Sequence, residues 1–122
     1  MHKFKKILIV EDEVIIAECL EMELISAGFD SQGYVTTGEE AIIAVNDSNP
    51  DIILMDIHLS GNLSGIETAR KIRPNNDTLI IFMTGFDKTD ILFRTKDLGN
   101  TNLLEKPIEI FQIEQIINDL VK

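Results

Sequence analysis

The chain has 122 residues and a formal net charge of −10, so it has room for one ordinary domain and little more. Such an acidic surface repels a nucleic-acid backbone and an anionic membrane, and it favours metal cations and basic protein surfaces. Apolar residues make up 44% and aromatics only 6%, so aliphatic side chains must fill the core.

The N-terminus, Met1-His2-Lys3-Phe4-Lys5-Lys6, is basic. The apolar run after it, Ile7-Leu8-Ile9-Val10, is too short for a signal peptide and reads as a strand buried on both faces. No run approaches the ~20 residues of a membrane span, so a cytoplasmic location with no membrane partner is expected. Ala17, Leu20, Leu24 and Ala27 then recur at helical spacing, with Gly28 at the expected C-cap. Cys19, the one cysteine, falls in this pattern. It reads as a buried or half-buried thiol, and it has no partner for an internal disulfide. A weakly written strand spans Asp30 to Val35. A helix follows through about Asn46, with Thr37 as N-cap and Glu40 completing a capping box.

Asn49-Pro50 breaks the chain. Ile52-Ile53-Leu54-Met55 is the next strong strand and ends at Asp56. A polar loop, Ser60-Gly61-Asn62-Leu63-Ser64-Gly65, leads to a helix from about Ile66 to Arg73, stopped by Pro74. Leu79-Ile80-Ile81-Phe82-Met83 is a strand ending at Thr84-Gly85. A helix from Lys88 to Leu98 is closed by Gly99. Leu103-Leu104 is a short strand ending at Glu105-Lys106-Pro107. The last helix carries Ile110, Ile113, Ile117 and Leu120 on one stripe. Five alternations of strand and helix predict an α/β fold, a parallel sheet with helices on both faces. One domain over residues 1–122 accounts for the whole chain.

In such a sheet, ligands sit outside the carboxyl ends of the strands. The first strand delivers Glu11-Asp12-Glu13 there, the third Asp56, the fourth Thr84 and the fifth Lys106. Two carboxylates ~4 Å apart cost about 1 kcal/mol in water and about 4 at a protein surface. Three or more at one edge therefore point to a cation. An all-oxygen donor set suits Mg²⁺. Mg²⁺, an ammonium, a hydroxyl and a free carboxylate are together equipped for phosphoryl transfer. Each residue alone has a plainer reading: Asp56 as a turn residue, the acids as a solvated turn, Thr84 as a cap, Lys106 as a surface lysine. Their joint placement carries the argument.

That placement resembles the response-regulator receiver domains of two-component signalling, in the chemotaxis-regulator-like superfamily. Ile7 through Glu13 is similar to their first strand and acidic pair, and Leu54-Met55-Asp56 to their phosphoacceptor strand. Thr84-Gly85 is similar to their hydroxyl position and Glu105-Lys106-Pro107 to their Lys-Pro. The resemblance implies a flavodoxin-like, doubly wound five-stranded sheet of order 2-1-3-4-5. It implies that Asp56 takes a phosphoryl group from a phosphohistidine on a histidine kinase or phosphotransfer protein. The metal, Mg²⁺ or Mn²⁺ in its place, would be held by Glu11, Asp12, Asp56 and the backbone carbonyl of His58. Thr84 and Lys106 would contact the phosphoryl group, and Lys106–Pro107 is often cis in the family. The domain would catalyse only its own phosphorylation and dephosphorylation. It would signal by a conformational shift to an output domain or protein through residues 88–122, a face also compatible with a homodimer.

The sequence departs from that pattern in places. Leu103 stands at the usual aromatic switch position, with Phe86 or Phe93 as candidate substitutes. His58 and Phe86 occupy positions that tune acyl-phosphate lifetime, and a bulky Phe86 would slow hydrolysis. The loop after Asp56 lacks the common proline, is a residue longer, and borders the site where a kinase would be recognised. The competing reading is a receiver-like interaction module that is never phosphorylated. A flavodoxin cofactor site is disfavoured because Glu11-Asp12-Glu13 would repel its phosphate, and direct nucleic-acid binding is disfavoured by charge.

Overall fold

The structure is a computed structural model that describes residues 5–85 and 88–120. Five parallel strands, β1 (Lys6–Val10), β2 (Asp30–Val35), β3 (Ile52–Asp56), β4 (Leu79–Thr84) and β5 (Thr101–Glu105), form one sheet of order β2-β1-β3-β4-β5. The helices are α1 (Val14–Ser26), α2 (Gly38–Ser48), α3 (Gly65–Ile72), α4 (Lys88–Thr95) and α5 (Ile110–Leu120). The alternation and the doubly wound order agree with the sequence reading.

Strand alternation divides the core into two layers. Leu8, Val10, Ile53, Met55, Ile80 and Phe82 point to the face covered by α2, α3 and α4. Ile7, Ile9, Leu54, Ile81 and Met83 point to the other face, where Leu20 and Leu24 of α1 and Ile113 and Ile117 of α5 meet them. β3 and β4 are buried at every residue, which is why they read as continuous apolar runs. β2 is an edge strand with a register shift against β1, where Ile7 pairs with Ser31 but Ile9 with Tyr34. The extra residue falls beside Gly33, whose φ of 85° suits glycine.

Several boundaries differ from expectation. At α2, Thr37 accepts from the Glu40 N–H, but the Glu40 carboxylate accepts from the Thr36 N–H rather than from Thr37's own, so the box is displaced by one residue. A full capping box forms instead at α3, between Ser64 and Glu67. Pro74 lies within a short 3₁₀ turn, Arg73–Asn75, that follows α3 in place of a clean stop. α4 ends at Thr95 rather than Leu98 because Arg70 Nη2 takes the Arg94 carbonyl (2.6 Å) and the Leu98 N–H turns to Thr95 (3.0 Å). Leu120 lies exposed at the end of the α5 stripe. Cys19 is exposed, not buried, because Ala17, Leu20 and Leu24 alone take the inner face of α1.

Two arginines tie α3 to the segment after α4. Arg70 pairs with Asp97 (2.9 Å). The Arg73 guanidinium donates to the carbonyls of Asn76, Thr78, Leu98, Gly99 and Asn100 at 2.9 to 3.3 Å.

The loop after β3 returns tightly against its own strand. Gly65 N donates to the Ile57 carbonyl (2.9 Å). A Cβ at Gly65 would lie 2.1 Å from the Asp56 carbonyl oxygen. Glycine is therefore required for α3 to start beside the end of β3. Gly65→Ala is expected to lower stability by about 1–3 kcal/mol, read as the urea midpoint; an unchanged midpoint would show that the loop yields without cost.

Candidate functional site

The sheet brings its strand ends together as the sequence predicts. Glu11 follows β1 directly and its N–H donates to the Val35 carbonyl (3.0 Å) at the end of β2. Asp56 is the last residue of β3, and its register partner is Met83, one residue before Thr84. The Lys106 N–H donates to the Thr84 carbonyl (2.7 Å), so β5 hands Lys106 to the same edge. The Lys106–Pro107 bond is cis.

Lys106 Nζ stands between two acids, 3.1 Å from Glu11 Oε1 and 3.1 Å from Asp56 Oδ2. Both acids are buried, Glu11 at 0% and Asp56 at 3% exposure. The other Asp56 oxygen accepts from the His58 N–H (3.2 Å), and Glu11 Oε2 accepts from the Glu13 N–H (3.2 Å). Among the described residues Glu11 Oε1 meets no donor other than the Lys106 ammonium. Glu13 itself is exposed and serves as the N-cap of α1.

Oxygens of Glu11, Asp12 and Asp56 lie within 4.8 Å of one another. The set is all carboxylate, as a hard divalent ion prefers. One ammonium is shared by two buried acids and a third carboxylate lies beside them, so the residues present fit a divalent cation. The His58 side chain is exposed and is not in the cluster. Thr84 is fully buried at the end of β4.

The charges respond to this crowding. Burial pushes the Glu11 carboxyl up to about 7, helped by the neighbouring Asp56. Burial alone would lower the Lys106 ammonium, but its bonds to Glu11 and Asp56 outweigh that and raise it. Asp12 is lowered, first of all by the Ser60 hydroxyl.

Two features near the site go beyond what the strand ends predict. Ser60 grips Asp12 from the far loop, for which the missing proline was the available signal. A cleft of about 460 Å³ also opens beside the carboxylates, lined by Glu11, Ile15, Ile16, Met83, Lys106 and Pro107 among others. Another hollow, of about 360 Å³, lies at the opposite end of the sheet among Pro50, Asp77 and Asn100 and does not reach these acids. Of the aromatic candidates, Phe93 is exposed with the Lys96 ammonium 4.6 Å above its ring. Phe86 lies outside the described residues. Leu103 is buried in the layer under α4.

The model of the response regulator receiver domain family matches residues 7–118. The chain belongs to this family. The receiver is 30% identical over 106 residues to the transcriptional regulatory protein PdtaR of Mycobacterium tuberculosis, covering 87% of this chain and 51% of that protein. It is 35% identical over 105 residues to the DNA-binding response regulator MtrA of Mycolicibacterium smegmatis, covering 86% and 45%. The chain thus spans about half the length of the curated relatives it matches. The solved signal receiver domain of a modulated diguanylate cyclase from Desulfovibrio desulfuricans G20 superposes with a TM-score of 0.84 at 35% identity, covering 94% of this chain and 91% of that one. No helix among the described residues of the receiver is long and apolar enough to cross a membrane.

The raised Glu11 carboxyl makes stability depend on pH. Between about pH 4.5 and 7 the folded receiver holds a proton here that the unfolded chain has lost. Stability of the metal-free protein therefore falls as pH rises through that window. Glu11→Gln is expected to remove this slope and to stabilise the metal-free protein near pH 8. Urea titrations at about pH 5.5 and pH 8 check this; parallel slopes for both proteins would refute it.

Proposed function

We propose that this receiver is a phosphoacceptor, with Asp56 taking a phosphoryl group from a phosphohistidine on a histidine kinase or phosphotransfer protein. The observation that carries the reading is the buried Asp56 carboxylate held against Lys106 within a three-acid cluster. An Asp56 oxygen attacks phosphorus, the P–N bond to the partner's imidazole breaks, and the electron pair stays on that nitrogen as an acyl phosphate forms. Lys106 balances charge that grows on the phosphoryl oxygens, and the Thr84 hydroxyl receives them. Glu11, Asp12, Asp56 and the His58 carbonyl would hold Mg²⁺, or Mn²⁺ in its place, which supplies the further positive charge this transfer needs. The receiver accelerates only its own phosphorylation and dephosphorylation.

The acid-rich edge also frames where the donor arrives. Val14, Ile15, Ile16, Met22 and Ile25 of α1 are exposed, Ile15 at 78%, and Ile15 and Ile16 continue into the cleft beside Lys106. An apolar helix of the donor seated there would bring its phosphohistidine to Asp56. A second exposed group, Leu92, Phe93, Phe111 and Leu120, lies within residues 88–122, the proposed output face. Phosphorylation would bias the conformation of that face. A location in the cytoplasm follows from the same reading, as does a kinase upstream and an output domain or protein downstream.

Intact-mass spectrometry after incubation with acetyl phosphate tests the reading. One phosphoryl adduct is expected with Mg²⁺, and none without Mg²⁺ or in Asp56→Asn. Failure of both acetyl phosphate and a promiscuous histidine kinase to modify the folded protein would leave a non-phosphorylated interaction module as the better account.

A further inference from the structure

Asp12 reaches across the site to a loop far away in sequence. Its Oδ2 accepts from the Ser60 N–H at 3.1 Å and from the Ser60 hydroxyl at 2.5 Å. These two bonds join the segment after β1 to the loop after β3. Asp12 is only half-buried and Ser60 is exposed, so water could serve Oδ2 equally well. The pair instead fixes one rotamer of Asp12. In that rotamer Asp12 still offers an oxygen within 4.8 Å of oxygens from Glu11 and Asp56. The contact therefore holds the Asp12 carboxylate toward Glu11 and Asp56. Without it, the cheapest response of a half-exposed aspartate is to swing away into solvent. A proline in this loop would have neither the N–H nor the hydroxyl to do this.

We propose that Ser60 is a positioning residue for the divalent-cation site, holding Asp12 in the ligating rotamer and coupling the loop after β3 to metal occupancy. This rests on the metal reading given above. Ser60 touches neither the ion nor the phosphoryl group in this role. It acts through Asp12, as partners of metal ligands commonly do. With Oδ2 already accepting two hydrogen bonds, a bidentate grip by Asp12 would strain them, which favours one-oxygen ligation. That mode suits Mg²⁺, which takes few carboxylate oxygens and keeps several waters. Binding of the ion would in turn hold the 60–65 loop in place through Ser60.

Mg²⁺ titrations followed by backbone amide shifts test this in wild type, Ser60→Ala, Ser60→Thr and Asp12→Ala. Ser60→Ala is expected to weaken Mg²⁺ binding roughly tenfold, with metal-free stability unchanged. Ser60→Thr, which keeps the hydroxyl, is expected to restore most of the affinity. Adding Ser60→Ala to Asp12→Ala is expected to have no further effect. In wild type, Mg²⁺ is expected to shift the Ser60 and Gly61 amides, and those shifts are expected to shrink in Ser60→Ala. Equal or tighter binding by Ser60→Ala, with wild type still binding Mg²⁺, overturns the role of Ser60 alone. Wild type that binds no Mg²⁺ overturns the metal reading and this inference with it.

Discussion

Like-charge repulsion governs the carboxyl edge of this sheet. Glu11 and Asp56 are buried side by side, with Asp12 close at hand. Burial raises the free energy of each charge, and proximity adds to it. The protein meets this with Lys106 between two of the acids, N–H donors on Glu11 and Asp56, and the Ser60 pair on Asp12. These do not finish the job. Burial still pushes the Glu11 carboxyl well above the usual carboxylate range. The remaining deficit of positive charge is what a divalent ion and a reacting phosphoryl group would engage. The apolar core supports that deficit: β1 and β3 are buried strands, and they hold the acids at their ends with little freedom to retreat.

Much of the fold could be read from the chain because central parallel strands leave a plain mark. β3 and β4 are covered on both faces, so nearly every residue in them is aliphatic. The elements at the margins were harder. β2 lies on the edge and carries an extra residue near Gly33, which erases its alternation. α1 is apolar on its outer face as well as its inner one, so hydropathy could not say that Cys19 points to solvent. α4 stops early because a side chain from α3 takes one of its carbonyls, a long-range event that no local pattern records.

The candidate site residues stand out in the sequence through their positions rather than their types. Asp56, Thr84 and Lys106 are ordinary residues that gain meaning by standing at strand ends. The contact between Ser60 and Asp12 joins residues 48 apart in the chain: the missing proline marks the loop, and the fold shows what Ser60 touches. The same is true of Gly65, whose need for glycine comes from a carbonyl nine residues earlier.

The Arg73 guanidinium makes its five contacts with main-chain carbonyls. Carbonyls are the same in every residue. The anchor therefore reads the backbone path of the segments from Asn76 to Thr78 and from Leu98 to Asn100, and a substitution there reaches Arg73 only by moving that path. The side chains that matter there are the ones that hold the path: buried Leu98, Gly99 and Asn100 at positive φ, and the hydrogen-bonded Asn76, Thr78 and Asn100.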